Sequence, residues 1–182
     1  TKGEYIYKFV PAGRFDAADP KAARHLLDEG TLYVARLNDD GSGQWLALVH
    51  GQNGLTAENG FASQEEVLLN ARAAADRAGA TPMDRPEWAA VHPTTGEVYV
   101  TLTNNDGRGD KQPTDKANPR PHNLHGQILR FNEQGADPTA TAFAWELFLL
   151  AGEARGAKDK DGKPVPANLT GTINGDLFSS PD

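Results

Sequence analysis

Four short runs of alternating apolar and polar residues follow one another in the second half of the chain. Turn residues separate them, with Pro93 and Gly96 in the first connection, and the runs cover residues 87–91, 97–103, 126–131 and 142–149. A side-chain period of two residues predicts β-strands. Four consecutive antiparallel strands are typical of one propeller blade, although a β-sandwich gives similar local patterns.

The first half of the chain repeats this pattern and adds two helical segments. Its predicted strands cover residues 4–10, 31–37 and 44–49, and its predicted helices cover residues 17–28 and 64–78. Ser63 with Glu66 three positions later is a capping-box pattern, and Gly79 offers a C-terminal stop. We therefore expect a mainly β fold with one or two helices and long loops.

Composition excludes several classes of function. The 182 residues carry 18 Lys and Arg against 25 Asp and Glu, a formal charge of −7, which gives no general attraction to nucleic acid. An apolar stretch long enough to span a bilayer, about 18 residues, is missing from the sequence, so no membrane partner is expected. The chain has no cysteine, which excludes disulfides and sulfur-based metal sites without fixing the compartment.

The sharpest local feature is an arginine and an acid on either side of a proline, at the entrance of a predicted strand. In an extended segment Arg85 and Glu87 project to the same side, and Pro86 favours an extended conformation at Arg85. Glu87 is a candidate ligand for a hard cation, and Arg85 is a candidate phosphate-binding residue. The alternative is an ordinary surface ion pair.

The last three residues, Ser180-Pro181-Asp182, repeat the pattern of a proline followed by an acid after a strand-like lead-in. If both acids begin inner strands of neighbouring blades, their carboxylates converge on one channel, as oxygen ligands of calcium or magnesium would. A chance repeat of so short a pattern remains the alternative.

A polar loop, residues 104–125, concentrates further candidates near its end. Arg120 and His122 are candidate contacts for an anionic substrate, and Asn123 is a candidate for a structural hydrogen bond. His122 and His125 flank a strand and are expected to point apart, so we interpret them as loop residues rather than as metal ligands. The three tryptophans fall in strands and are expected to pack in the core: Trp45, Trp88 and Trp145.

These segments together resemble the PhoX alkaline phosphatase family. The resemblance is carried by Asp84-Arg85-Pro86-Glu87-Trp88 and its continuation over residues 94–105, and by Asn118-Pro119-Arg120 with residues 126–130. Residues 4–9 and 180–182 resemble the family as well. The matches keep the family's order along the whole chain, which is more specific than any single motif.

The resemblance implies a fold, an activity and a set of site residues. It implies antiparallel sheets that form about two blades of a β-propeller, in a secreted enzyme exported by the twin-arginine route to the periplasm or the cell exterior. Such enzymes hydrolyse small phosphomonoesters with calcium and iron in the central channel. Arg85 is then implied as the phosphate-binding residue, and Glu87 and Asp182 as metal ligands. For Arg120 the resemblance implies an ordered loop and no catalytic contact.

The chain also departs from the family in ways that limit the expectation. Family members have several hundred residues and bind iron partly through a cysteine. We therefore interpret residues 1–182 as a single partial domain, cut at both ends, that is inactive alone. Its exposed sheet edges favour self-association.

Two other functions remain open: a non-catalytic, calcium-stabilised propeller that serves as a binding module, and a propeller phosphotriesterase or lactonase. Arg85 separates them from a phosphomonoesterase, since a structural calcium site gains nothing from a cation beside its ligand.

Overall fold

The computed structural model describes residues 3–173 and 177–181, and this part of the chain is mainly β, as the alternating runs predicted. It contains seven strands and two α-helices, with short 3-10 turns between them. The elements are β1 (Tyr7–Pro11), β2 (Gly30–Leu37), β3 (Ser42–Ala47), α1 (Gln64–Leu69), α2 (Ala71–Ala78), β4 (Pro86–Val91), β5 (Val98–Leu102), β6 (Gln127–Glu133) and β7 (Ala142–Leu150). Among the described residues, no helix is long and apolar enough to cross a membrane.

The chain divides into two compact units. We call Tyr5–Arg36 with Gln44–Thr81 the amino-terminal unit, and Thr1–Glu4, Leu37–Gly43 and Pro82–Asp182 together the carboxy-terminal unit. The interpretation of residues 1–182 as a single partial domain stays a prediction.

The amino-terminal unit buries an apolar cluster between strands and helices. β1 pairs antiparallel with β2, and β2 continues towards β3 through the bond from Leu48 N to Leu32 O. The fully buried members of the cluster are Val34, Leu48, Leu55, Val67, Ala74 and Ala75. The helices contribute Val67 and the two alanines, so this small apolar stripe is what holds them on the sheet.

The helical segments of this unit differ from the prediction in two places. The expected helix 64–78 is broken at Asn70 (φ −112°, ψ 37°), whose side-chain nitrogen donates to the carbonyl of Glu66. Its ends are as predicted, because Ser63 accepts from Glu66 N and Gly79 adopts a left-handed conformation. The expected helix 17–28 is wrong: only the 3-10 turn Ala22–His25 forms.

A buried tyrosine makes this unit sensitive to alkaline pH. The Tyr5 hydroxyl donates to Asp76, and burial, then this bond, raises the pKa of the Tyr5 phenol. The folded state therefore holds its proton more tightly than the unfolded chain, so stability is complete below the ordinary tyrosine pKa, about 10, and falls as the pH rises above it.

We expect Tyr5→Phe to remove this alkaline loss of stability. Urea unfolding of the wild type and the variant at neutral and alkaline pH measures it. The free energy of unfolding of the wild type should fall more steeply with pH, and parallel curves would contradict the assignment.

The carboxy-terminal unit contains the predicted four-stranded antiparallel meander, in the order β4, β5, β6, β7. Its buried face carries alternate residues of the inner strands, among them Val100, Leu102, Leu129 and Phe131. Trp145 is buried as expected, but Trp88 is 67% exposed, so its predicted core position is wrong. The reason is that β4 is the edge strand of this meander and is open on both faces.

Candidate functional site

The predicted arginine–acid pair forms at the start of β4. Arg85 Nε donates to Glu87 Oε1 at 2.9 Å, and the two side chains are 43% and 36% exposed. Arg85 Nη1 lies 3.5 Å from the side-chain oxygen of Asn104, in the polar loop that follows β5. The two side chains that the sequence singled out are thus in contact with each other and accessible from solvent.

The backbone of Arg85 differs from the expectation. Pro86 favours an extended residue before it, yet Arg85 has φ 56°, in the left-handed region. Its N–H donates to the carbonyl of Met83 at 2.9 Å, and its carbonyl accepts from Thr103 N at 3.0 Å. A non-glycine residue in this region costs about 1–3 kcal/mol and persists only where the surroundings hold it.

The residue before Arg85 is the centre of a buried polar cluster that the sequence did not reveal. Asp84 is fully buried, and its Oδ1 accepts from Arg108 Nε at 2.8 Å and from Asn105 Nδ2 at 3.0 Å. Its Oδ2 accepts from Asn123 Nδ2 at 2.9 Å. Its backbone N–H donates to the side-chain oxygen of Asn118. Both carboxylate oxygens and the N–H of Asp84 are therefore paired.

Arg108 is the cationic partner of Asp84 and is itself completely buried. Nη2 lies 2.7 Å from Asp84 Oδ1 and also donates to the carbonyl of Pro82, while Nη1 donates to that of Pro113. Each terminal nitrogen of this fork has an oxygen partner, which is what a buried charge requires. Several side chains of the loop 104–125 are therefore turned inward around Asp84, while other residues of the loop stay exposed.

Arg120 lies in the same loop and is buried, so its guanidinium is not exposed to solvent. Nη2 donates to Asn123 Oδ1 at 2.8 Å and to the carbonyl of Gly126, and Nη1 donates to the carbonyl of Ala151. Burial lowers the pKa of the Arg120 guanidinium, and the charge of Asp84 opposes that change. Arg120 is thus bonded inside an ordered loop, as the resemblance implies, and the expected structural bond of Asn123 is confirmed.

The two loop histidines have different hydrogen-bond partners. His122 is exposed and has Nδ1 2.9 Å from the carbonyl oxygen of Asp106. His125 has Nδ1 2.9 Å from Ser179 Oγ. Burial, and then the charge of Arg120, lowers the pKa of His125, against the effect of Glu153. Their interpretation as loop residues rather than metal ligands stays a prediction.

The second proline–acid segment shares a backbone feature with the first. Ser180 has φ 51° directly before Pro181, just as Arg85 has φ 56° before Pro86. Asp182 itself lies outside the described residues. Ser180 N donates to the carbonyl of His125, two residues before Gln127 of β6, and Gln127 pairs with Leu102 of β5.

Arg85 directly precedes β4, which pairs with the opposite edge of β5, and its carbonyl accepts from Thr103 N just after the end of β5. The two turns accordingly lie at the same end of the meander. The common feature is a left-handed residue, a proline and then an acid.

The described residues contain one accessible candidate for a metal ligand at this site, Glu87. Glu87 is an accessible carboxylate, the ligand type that calcium prefers. Among residues 3–173 and 177–181, however, no three acidic or histidine side chains cluster closely enough to hold an ion. Calcium takes about six to eight oxygen ligands. The carboxylate of Glu87 has the chemistry of a hard-cation ligand, and the described residues do not bring enough further acids or histidines to it to form a complete shell.

The family comparison and the structural comparison both identify PhoX. The family model "Alkaline phosphatase PhoX" matches residues 1–182. The solved structure of Pseudomonas fluorescens PhoX in complex with vanadate, a transition state analogue, is 44% identical with a TM-score of 0.86. It matches 100% of this chain, which in turn spans 32% of that protein, about a third of its length. No curated protein matches the chain.

Proposed function

The chain belongs to the alkaline phosphatase PhoX family, and on that premise we propose that it is one part of a longer, metal-dependent phosphomonoesterase. Its substrates are small phosphate esters, and its ions are calcium and iron. The longer enzyme is exported to the periplasm or the cell exterior, and residues 1–182 alone are inactive. The 44% identity to a protein that binds a transition state analogue of phosphoryl transfer supports this assignment.

The observation that carries the proposal is the accessible Arg85–Glu87 pair at the end of the meander. An arginine guanidinium presents a planar fork of donors that matches two phosphate oxygens. Arg85 donates to Glu87 through Nε, and its backbone is hydrogen-bonded to Met83 and Thr103. We assign it the role of binding the phosphoryl group and stabilising the charge that builds on its oxygens.

Glu87 and Asp182 are the proposed metal ligands of this segment. Bound calcium and iron would neutralise the oxygens of the transferring phosphoryl group and polarise it. For Glu87 the support is its accessible carboxylate beside Arg85. For Asp182 the support is the preceding turn, in which Ser180 has the positive φ found at Arg85 and, like Arg85, is followed by a proline.

A purely structural calcium site gains nothing from a guanidinium beside its ligand, whereas a phosphate-binding site uses both, because the metal ion and the guanidinium each neutralise oxygens of the anionic phosphate. Arg85 Nε lies 2.9 Å from Glu87 Oε1. This contact is the reason for preferring a phosphomonoesterase to a calcium-stabilised binding module.

The test is turnover of p-nitrophenyl phosphate by the full-length protein in calcium and iron. We expect Glu87→Gln to lower kcat/KM at least about 100-fold, because even the indirect partners of metal ligands cost 10–100-fold when changed. Glu58→Gln, an exposed acid in the amino-terminal unit, is the matched control. Full-length protein that is silent on phosphomonoesters would refute the phosphatase and leave the binding module.

A further inference from the structure

Residues 177–181 lie against the ends of β6 and β7. Phe178 exchanges two backbone hydrogen bonds with Gly152, at 2.6 and 3.1 Å. One step further along, Ser180 N donates to the carbonyl of His125 at 2.7 Å, and His125 Nδ1 lies 2.9 Å from Ser179 Oγ. His125 therefore binds this segment twice, once through its backbone and once through its ring.

The segment needs such support because its backbone is unfavourable. Ser180 is in the left-handed region at φ 51°, and the ring of the following Pro181 restricts it further. Conformations of this kind persist only where neighbouring groups fix them. The bonds from His125 meet the chain at Ser180 and at the residue before it.

The residue after His125 is closely packed and hydrogen-bonded. This residue, Gly126, has φ +76°, and a Cβ there would collide with the carbonyl oxygens of Leu102 and Thr103. Its carbonyl accepts from Arg120 Nη2 and from Ala151 N. Gly126 is thereby connected, through Arg120 and Asn123, to the buried cluster around Asp84.

We propose that His125 is a positioning residue that holds Ser179, Ser180 and Pro181 in place, directly before the proposed ligand Asp182. This inference rests on the proposed function, in which Asp182 is a metal ligand. His125 acts through the chain segment and does not itself bind substrate or metal.

Amide hydrogen exchange of the full-length protein tests the anchor without any assay of activity. His125→Ala should speed exchange in the peptide covering residues 177–182 about tenfold, with no change in peptides from β4 to β7. His125→Asn should restore slow exchange, because the asparagine amide occupies the place of Nδ1, the ring atom that meets Ser179. His50→Ala, at an exposed histidine of the other unit, is the control.

Calcium dependence of turnover tests the link to Asp182. His125→Ala should raise the calcium concentration for half-maximal turnover about tenfold, and should add nothing in an Asp182→Asn background, since coupled residues are not additive. Equal effects in both backgrounds, no effect, or faster exchange throughout the protein would each overturn the positioning role. A full-length protein without any turnover would overturn the proposed function, while the exchange measurement would still decide the anchor.

Discussion

Asp84→Ala should destabilise the protein by about 3–5 kcal/mol, the cost of leaving one partner of a buried ion pair alone. In the wild type Arg108 is fully buried and its Nη2 lies 2.7 Å from Asp84 Oδ1. The variant leaves this buried charge without its carboxylate partner. Asn105 and Asn123 lose an acceptor at the same time. Urea unfolding followed by tryptophan fluorescence measures the loss.

Two further variants separate the ion pair from a general effect of substitution. Asp161→Ala, at an exposed loop position, should stay within about 0.5 kcal/mol of the wild type. The double variant Asp84→Leu with Arg108→Met should be more stable than Asp84→Ala alone, since it leaves no charge behind. If Asp84→Ala matched Asp161→Ala, the buried pair would not hold the loop.

The strands could be predicted because their signal is local. Alternation of side chains over five to nine residues located every strand to within a few positions, from β1 at Tyr7–Pro11 to β7 at Ala142–Leu150. Exposure could not be predicted in the same way. Trp88 lies in a well-predicted strand, but its exposure depends on where β4 lies in the sheet, which is a property of long-range pairing.

The buried polar cluster could not be predicted from the pattern of the loop. Asn105, Arg108 and Asn118 occupy a stretch rich in charged residues and prolines, which is typical of a solvated surface. They become core residues only because one carboxylate, Asp84, comes from a different part of the chain. The sequence contained one indication of the cluster: Asp84 stands next to Arg85 in the most distinctive motif.

The cluster and the candidate site are consecutive in the chain, and this explains the conformation of Arg85. Asp84 is held by its side chain and by its N–H, so the residue after it has little freedom. Arg85 then turns through the left-handed region and emerges at the start of β4 beside Glu87. The buried cluster thus sets the direction of an exposed guanidinium.

Arg85→Ala should lower kcat/KM of the full-length protein for p-nitrophenyl phosphate by about 10²–10³-fold, the usual cost of removing one donor that stabilises developing negative charge. Arg85→Lys should recover little of the loss, because a point charge cannot reproduce the two-pronged contact. Arg155→Ala, at an exposed arginine of the same unit, is the matched control. Turnover within tenfold of the wild type in Arg85→Ala would remove Arg85 from the phosphate site.

Arg85→Gly distinguishes binding from backbone strain. Glycine adopts positive φ without the steric cost that other residues carry, roughly 1–2 kcal/mol. We therefore expect Arg85→Gly to be as inactive as Arg85→Ala but more stable by about 1 kcal/mol in urea unfolding. If Arg85→Gly is more stable than Arg85→Ala but equally inactive, the chain keeps a strained backbone at this position because the activity requires the guanidinium. If Arg85→Gly were less stable than Arg85→Ala, the left-handed conformation at φ 56° would be contradicted.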